Sequence, residues 1–331
     1  MTGAQQRRAT IVDVAKAAGV ATSTASVALR GEKGVSEATR ERIIAHAAAL
    51  GYRVDDRARL LRESRSRPVG VTFRPGQAFH TQVVEAVYDA ATVRGIDVVL
   101  SAVTSTRSPG AAVEALLRDR CSGLLLISPE VESDDLQVWS TSVPVVTLGS
   151  PLSAPGVASV VIDEAAGLDL AVGHLAERGH RDIVHLDGGE GVMAGRRSAG
   201  YEAAMAARGL SPSVVPGGVT EEAGVTAAQR LLADGTLPSA VVAYNDMAAI
   251  GLLLTLRGAG VAVPGQVAVV GYDDTRTGAL STIGLTTISQ EPSALADAAL
   301  TCLADLDPDD REGHTAGLVT LPPRLVVRTT T

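Results

Sequence analysis

The sequence is poor in cysteine, which excludes a fold held together by disulfides. Its two cysteines, Cys121 and Cys302, lie far apart in apolar surroundings, so we expect buried thiols and no disulfide. None of the six histidines stands beside cysteine or carboxylate at metal-ligand spacing, and we predict no metal site. Unpaired thiols of this kind are typical of a reducing cytoplasm.

Long hydrophobic runs and a secretory signal are also missing. No stretch of about 18 apolar residues occurs, so we predict no membrane span. Residues 1–8 carry a basic pair with no hydrophobic segment behind it, which is unlike a signal peptide. These two absences predict a cytoplasmic protein.

Sequence motifs for catalysis are absent as well. The run Gly188–Gly191 lacks the lysine and Ser/Thr of a phosphate-binding loop, which argues against nucleotide binding. No G-x-S-x-G elbow supports a hydrolase, and no nucleophile–base pair stands out. We therefore predict neither an enzyme nor a bound cofactor.

Charge is distributed unevenly along the 331 residues. Residues 1–67 hold 13 basic and 7 acidic side chains, whereas the remainder holds 16 basic and 30 acidic ones. A basic N-terminal segment suits contact with phosphates, and an acidic remainder stays away from them. The acidic overall balance does not argue against DNA binding, because only the local field matters there.

Three short helices are predicted between Thr10 and Gly51. Thr10 and Asp13 have the spacing of a capping box, and Gly19 ends the first helix because glycine accepts a left-handed turn. The third helix opens at Ser36. The residues predicted to face inward from the second and third helices are Ala25, Ala28, Leu29, Ile43, Ile44, Ala47 and Leu50.

Two short helices joined by a glycine-containing turn, with a third in support, form the helix-turn-helix pattern. The second helix presents small and polar side chains outward, which suits entry into a major groove about 12 Å wide. An ordinary three-helix subdomain with a solvated polar face is the alternative that periodicity alone leaves open.

The residues DVAKAAGVATSTASVALRG, followed by VSEATRERI and AALGY, resemble the DNA-binding end of the lactose-repressor (LacI/GalR) family of bacterial transcription regulators. The resemblance continues along nearly the whole chain. It implies a helix-turn-helix DNA-binding domain over residues 1–51, a hinge over residues 52–67, and an effector-binding and dimerisation domain over residues 68–331.

The resemblance also implies which residues meet DNA. Ala21 replaces the usual serine cap, so we expect Thr22 to cap the second helix. Val27 stands where many members have a basic or polar residue, and it would pack on a thymine methyl. A hinge leucine would wedge into the minor groove and kink the duplex. The matching positions are Thr22, Ser23 and Val27 for bases, Thr24, Ser26 and Arg30 for phosphates, and Ala58 and Leu61 in the hinge.

Apolar strands alternate with helices from Pro68 onward, which predicts an α/β fold with a parallel sheet. The predicted strands are Val69–Phe73, Ile96–Ala102, Gly123–Ile127, Val143–Leu148, Val157–Ile162, Ile183–Leu186, Ala240–Ala243 and Val267–Gly271. The predicted helices include Thr81–Arg94, Gly167–Arg178, Ser198–Arg208, Gly224–Leu232 and Met247–Gly258. The resemblance implies two Rossmann-like lobes with a cleft, the periplasmic-binding-protein type I fold, but the sequence does not indicate where the chain crosses between them.

Polar residues that follow predicted strands are the expected ligand contacts, because ligands of open α/β sheets lie beyond the carboxyl ends of the strands. Those that match the family's effector contacts are Phe79, Asp163, Arg197, Asn245 and Asp273. Carboxylate, amide and guanidinium groups together suit the hydroxyls of a polyol, so we expect a sugar or related metabolite. With aromatics at only 2% of residues, Phe79 is the best stacking ring, and a nucleobase or another small metabolite stays open.

The sequence therefore predicts a homodimeric, cytoplasmic and nucleoid-associated repressor that binds a palindromic operator under the control of a small-molecule effector. A dimer is expected because the chain continues only briefly after Leu325, too briefly for a coiled-coil seam that would join tetramers. A periplasmic-type solute-binding protein is the main alternative, and a cytoplasmic sugar-processing enzyme is a third. Whether the effector is an inducer or a corepressor is left open.

Overall fold

The computed structural model describes residues 9–29, 34–52, 68–152, 154–306 and 317–331. The chain divides into two compact units, a head within residues 1–66 and a body within residues 67–331. Arg30, Ala58 and Leu61, and all of the predicted hinge except Tyr52, lie outside the described residues. Within the described parts, every helix is too short or too polar to cross a membrane.

The head consists of helices α1 (Ile11–Ala18), α2 (Thr22–Leu29) and α3 (Glu37–Ala49). The predicted capping box is confirmed, because the Thr10 amide donates to Asp13 Oδ2 at 2.8 Å and the Asp13 amide donates back to Thr10 Oγ1. Gly19 follows α1 with φ 65°, the left-handed conformation that the turn requires. Local sequence thus sets both ends of α1.

The head buries one small apolar core, shared by α1, α2 and α3. It contains Val14, Ala15, Ala18, Ala25, Ala28, Ile43 and Ala47, with Leu29 partly buried against it. The predicted burial of Ile44 and Leu50 is wrong: these side chains are 50% and 42% exposed. Ile43 and Ala47 are four residues apart on one helix face, so Ile44 is turned away, and Leu50 lies beyond the last turn.

The start of α2 differs from the prediction. The helix begins at Thr22, and the Ala25 amide donates to the Ala21 carbonyl at 3.0 Å. Ala21 therefore occupies the position before the helix, where it offers no side-chain oxygen, and Thr22 is the first helical residue and not the cap. The Thr22 hydroxyl is consequently not used in capping.

Within its described residues, the body contains two six-stranded sheets. The strands are β1 (Val69–Phe73), β2 (Val98–Ala102), β3 (Gly123–Ile127), β4 (Val145–Leu148), β5 (Val157–Ile162), β6 (Ile183–Leu186), β7 (Val214–Val215), β8 (Ala240–Ala243), β9 (Ala268–Tyr272), β10 (Thr286–Ser289), β11 (Leu318–Leu321) and β12 (Arg324–Val326). The first sheet is parallel with order β11-β5-β4-β3-β1-β2. The second has order β12-β10-β9-β8-β6-β7, with only β12 antiparallel to its neighbour.

In the part of the body that the structure describes, eight helices cover the two sheets. They are α4 (Ala78–Arg94), α5 (Pro109–Arg118), α6 (Ser133–Ser140), α7 (Glu164–Glu177), α8 (Val192–Ala206), α9 (Glu221–Ala233), α10 (Asp246–Gly258) and α11 (Pro292–Asp305). In the first lobe, Leu125 and Ile127 pack with α4 and α11, whereas Leu124 and Leu126 pack with α5 and α6. In the second lobe, α9 and α10 cover one face and α7 and α8 the other.

All eight predicted strands of the body are present, and five have the predicted bounds. The predicted helices are also present but begin one to six residues earlier. The prediction missed β7, β10, β11 and β12. The sequence TTIS of β10 looks polar, yet Thr286 and Thr287 are fully buried, because their hydroxyls bond Thr331 and Asp246 from distant parts of the chain.

The chain crosses between the sheets three times, which the sequence did not indicate. It leaves the first sheet after β5, returns after β10 to form α11 against the first sheet, and crosses again between β11 and β12. Asp163 lies at the first crossing, Gln290 at the second, and Pro322 and Pro323 at the third. Each lobe is therefore assembled from separate segments of the chain.

Candidate functional site

A cavity of about 770 Å³ lies between the two lobes, at the carboxyl ends of their parallel strands. Loops after β1, β3 and β4 line it from the first lobe, and loops after β6, β8 and β9 line it from the second. This volume falls within the range of about 300–1,000 Å³ that is usual for small-molecule sites.

Four of the five predicted effector residues line this cavity: Phe79, Arg197, Asn245 and Asp273. Asp163 is not among the lining residues. It is the N-cap of α7, and its Oδ1 accepts the Ala166 amide at 3.0 Å. A carboxylate just after a strand thus caps the next helix here, and we leave Asp163 out of the proposed ligand contacts.

Arg197, on α8, is a buried residue held from several directions. Its Nε donates to Glu164 Oε2 at 2.9 Å, and its Nη1 donates to the Tyr244 carbonyl at 2.7 Å. The guanidinium also stacks on the Tyr272 ring at 3.8 Å from the centroid. Its Nη2 lies 3.9 Å from Asp273 Oδ1. Arg197 is therefore a fixed part of the cavity wall, with little freedom to reorient around a ligand.

Asp273 is a buried carboxylate in an uncommon backbone conformation. Its φ is 120°, its amide donates to the Ile288 carbonyl at 2.8 Å, and its Oδ1 accepts from Gln290 Nε2 at 2.6 Å. Burial raises the pKa of Asp273 to about 8, the nearby Asp246 adds to the rise, and Arg197 opposes it. The backbone strain is consistent with a functional position.

Asn245 links the cavity to α10. Its Oδ1 accepts the Ala248 amide at 2.9 Å, which caps the helix, and its Nδ2 donates to the Val219 carbonyl at 3.0 Å. One hydrogen of Nδ2 remains for a ligand, because an amide nitrogen carries two. The residue is thus a helix cap that also lines the cavity.

His80 lies beside Phe79 and was not predicted as a site residue. Its Nδ1 accepts the Arg74 amide at 3.0 Å, so its hydrogen must be on Nε2 when the ring is neutral. Burial lowers the pKa of His80 to about 4, with the charge of Arg74 contributing to the fall. A neutral imidazole with a fixed tautomer therefore lines the cavity.

Three further residues of the site were missed by sequence reasoning. Tyr244 and Gln290 line the cavity, and Glu164 accepts a hydrogen bond from Arg197. Tyr244 directly precedes Asn245 and could have been found by the strand-end rule. Gln290 follows β10, whose polar sequence hid the strand, and Glu164 carries no local signal.

Two contacts join the lobes beside the cavity. Gln82 on α4 donates from Nε2 to the Asp274 carbonyl at 2.7 Å, and Glu85 on the same helix pairs with Arg276 at 2.6 Å. Asp274 and Arg276 belong to the loop after β9 in the second lobe. The relative position of the lobes is thus held by polar contacts that can exchange with water.

The burial of Asp273 predicts a pH dependence of stability. The folded chain keeps this proton up to about pH 8, whereas the unfolded chain releases it near the ordinary aspartate pKa of 3.8. The folded state therefore loses relative stability as pH rises from about 4 to 8. Asp273→Asn removes this loss and keeps the acceptor for Gln290. Differential scanning fluorimetry measures the melting temperature of Asp273→Asn minus that of the unsubstituted protein. We expect this difference to increase from pH 5 to pH 9, and a difference that stays constant would contradict the prediction.

The predicted DNA-contacting residues that are described lie on α2. Thr22 and Ser23 are exposed, and Thr24, Ser26 and Val27 are at least partly exposed. The opposite face of α2 carries the buried Ala25 and Ala28. The helix thus presents a surface of small side chains away from the core of the head, as a helix that enters a major groove requires.

A helix-turn-helix head joined to a two-lobed body with an interlobe cavity defines the class of ligand-responsive DNA-binding transcriptional regulators. Residues 10–55 match the family model for bacterial regulatory proteins of the lacI family, and residues 172–331 match a periplasmic binding protein-like domain.

Similarity to known proteins extends along the chain. This chain is 30% identical in sequence to the HTH-type transcriptional repressor PurR of Erwinia tasmaniensis over 92% of each chain. The structure of the Lac repressor dimer bound to operator and the anti-inducer ONPF is similar with a TM-score of 0.76 and 28% identity, over 98% of this chain and 99% of that one. A complex of the regulator CelR with cellobiose gives a TM-score of 0.67 and 29% identity over 98% and 100%. The chain belongs to the lacI family of bacterial transcriptional regulators.

Proposed function

We propose that this regulator is a homodimeric repressor whose affinity for a palindromic operator depends on a small hydroxylated ligand in the interlobe cavity. The observation that carries the proposal is the cavity itself, which is lined by Phe79 of one lobe and by Arg197, Asn245 and Asp273 of the other. A ligand that contacts both walls changes the free energy of one lobe arrangement relative to another. The structural relative with bound cellobiose supports a sugar.

Ligand occupancy would reach the rest of the body through the crossings between the lobes. Asp273 is bonded to Gln290 at the second crossing, and Arg197 to Glu164, the residue after the first. A ligand that shifts these two side chains therefore acts on the segments about which the lobes reorient. Coupling of this kind is worth about 1–3 kcal/mol in typical regulators.

The DNA-binding residues in this proposal are Thr22, Ser23 and Val27 for base edges and Thr24, Ser26 and Arg30 for phosphates, with Ala58 and Leu61 in a minor-groove hinge. The exposure of the α2 face supports the described members of this set. The proposed domain division is 1–51, 52–67 and 68–331. We further propose that the protein acts in the cytoplasm at the nucleoid and carries no catalytic activity.

The proposed dimer surface lies along one side of the body and spans both lobes. Tyr88 on α4, Leu254 on α10 and Leu280 are large apolar side chains that are 42%, 51% and 55% exposed. They are connected by polar contacts: Glu85, one turn before Tyr88, pairs with Arg276, and Arg257, one turn after Leu254, donates to the Thr282 carbonyl. A second copy of the chain would cover this surface.

The DNA-binding proposal is tested by a substitution that leaves α2 intact. Ser23→Asp puts a negative charge at the second helical position, where the helix dipole favours it, but the charge repels DNA phosphates. The DNA is an operator selected from genomic fragments by its binding to the unsubstituted protein. We expect the specific affinity for this operator to fall by about 100-fold or more in a gel-shift titration, since both half-sites are affected.

The matched control is Ser293→Asp, at the second position of α11 in the body. This change should leave operator affinity unaltered. Equal operator affinity of the Ser23→Asp and Ser293→Asp proteins would contradict the assignment of α2, and a protein without preference for any genomic fragment would contradict the proposed function as a whole.

A further inference from the structure

The interlobe cavity has no unpaired cation among its described residues. Arg74 pairs with Glu130 at 2.8 Å, and Arg197 pairs with Glu164 at 2.9 Å. His80 is neutral, because its Nδ1 accepts an amide hydrogen and burial keeps its pKa near 4. A phosphate or carboxylate on a ligand would thus meet no free positive charge in the part of the cavity that the structure describes.

Two deeply buried side chains on the cavity wall have oxygens available to a donor. Asp273 and Gln290 are 6% and 3% exposed, and Gln290 Nε2 donates to Asp273 Oδ1 at 2.6 Å. No described residue donates a hydrogen bond to Asp273 Oδ2 or to Gln290 Oε1. Because both residues line the cavity, these two oxygens can accept hydrogen bonds from a ligand that brings donors.

Exposed carboxylates border the same cavity from both lobes. Glu132 and Asp135 belong to the first lobe and Glu190 to the second, and no ion pair with another described residue involves them. An anion that enters the cavity would be repelled by all three, whereas a cation would be attracted. These three carboxylates therefore favour a cationic ligand over an anionic one at the cavity.

Aromatic rings complete the cavity wall. Phe79 lines the first lobe, and Tyr244 lines the second, with its ring packed against Gly188. The Arg197 guanidinium lies over the Tyr244 ring, 4.6 Å from its centroid, so stacking on the apolar face of a pyranose falls to Phe79. The volume of about 770 Å³ accommodates a ligand of disaccharide size.

We propose that the ligand of this cavity is an amino sugar, with several hydroxyls, at least one cationic amine, and no phosphate or carboxylate. The inference rests on the proposed function, because it names the ligand class of the same site. Hydroxyls donate to Gln290 and Asp273, and the ammonium is held by the exposed carboxylates Glu132, Asp135 and Glu190 that border the cavity. An ammonium near Asp273 also favours the ionised carboxylate, which burial opposes.

Isothermal titration of the full-length protein with three matched disaccharides tests the proposal. Chitosan disaccharide carries two amines, diacetylchitobiose has both amines blocked, and cellobiose has hydroxyls in their place. We expect chitosan disaccharide to bind about tenfold or more tightly than either of the others, with the difference shrinking as salt is raised. Glucosamine 6-phosphate should bind more weakly than glucosamine.

Variants identify the groups that recognise the amine. Glu132→Gln combined with Asp135→Asn should weaken chitosan disaccharide binding by about three- to tenfold, because exposed ion pairs are individually modest, and should leave cellobiose binding unchanged. Glu202→Gln, an exposed carboxylate on α8 that does not line the cavity, is the matched control and should bind like the unsubstituted protein.

Three results would overturn the proposal: equal affinity for the aminated and non-aminated disaccharides, tighter binding of the phosphorylated sugar, or no binding of any of these sugars at millimolar concentration. Failure of the proposed function is distinguished by the gel shift in the same preparation. If the protein binds its operator but none of the sugars, only the ligand class is wrong; if operator binding is absent, the proposed function itself fails.

Discussion

Arg197→Ala is expected to destabilise the body by about 3–5 kcal/mol and to abolish the response of operator binding to any cavity ligand. The substitution removes the guanidinium that pairs with Glu164 and stacks on Tyr272, and it leaves the buried carboxylate of Glu164 without its partner. Urea unfolding measures the first effect, and a gel shift with and without ligand measures the second.

Arg196→Ala is the matched control for this prediction. Arg196 is the neighbouring residue on α8 and is exposed, so its loss should change stability by less than about 0.5 kcal/mol. Adding Glu164→Gln to Arg197→Ala should recover part of the lost stability, because it removes the unpaired charge. An Arg197→Ala protein that unfolds at the same urea concentration as Arg196→Ala would show that the buried pair contributes nothing.

Leu254→Asp combined with Leu280→Asp is expected to convert the protein to monomers and to lower specific operator affinity by about 1,000-fold or more. Two heads that are joined in one dimer reach both half-sites of a palindrome, so the second contact is effectively intramolecular. A carboxylate in the middle of an apolar interface must be desolvated, which opposes association. Analytical ultracentrifugation and a gel shift measure the two effects.

The control for the dimer surface is Val138→Asp on α6, a similar change at an exposed valine on the first lobe away from Leu254 and Leu280. It should leave both the dimer and the operator affinity intact. A Leu254→Asp/Leu280→Asp protein that sediments as a dimer would place the interface elsewhere on the body. Retention of full operator affinity by a true monomer would contradict the two-half-site model of recognition.

The effect of a ligand on DNA binding depends on which relative position of the two lobes the ligand favours. The polar contacts of Gln82 with Asp274 and of Glu85 with Arg276 hold the lobes beside the cavity. A ligand that favours the same arrangement adds to these contacts, and one that favours another must break them. The sign of regulation therefore depends on which arrangement aligns the two N-terminal lobes of the dimer for their operator.

Local patterns in the sequence were enough to place the three helices of the head and most of the strands of the body. The Thr10–Asp13 capping box and Gly19 act within three or four positions of their partners, so they could be read without knowledge of the fold. The largely apolar strands Gly123–Ile127 and Val157–Ile162 were predicted with their observed bounds for the same reason. Four of the five residues that the family resemblance predicted as ligand contacts line the cavity, and two of them, Asn245 and Asp273, follow the ends of parallel strands.

What only the tertiary structure decided was the set of partners that each site residue has. The amino-acid sequence alone determined a helix-turn-helix head, alternating strands and helices, and polar side chains at strand ends, since each depends on neighbours along the chain. Arg197 is hydrogen-bonded to Glu164 and Tyr244, which are 33 and 47 positions away in the sequence. Gln290 and Asp273, which are also hydrogen-bonded, are 17 positions apart. These contacts, like the three crossings and the removal of Asp163 from the cavity wall, arise from the packing of distant segments, which no local pattern encodes.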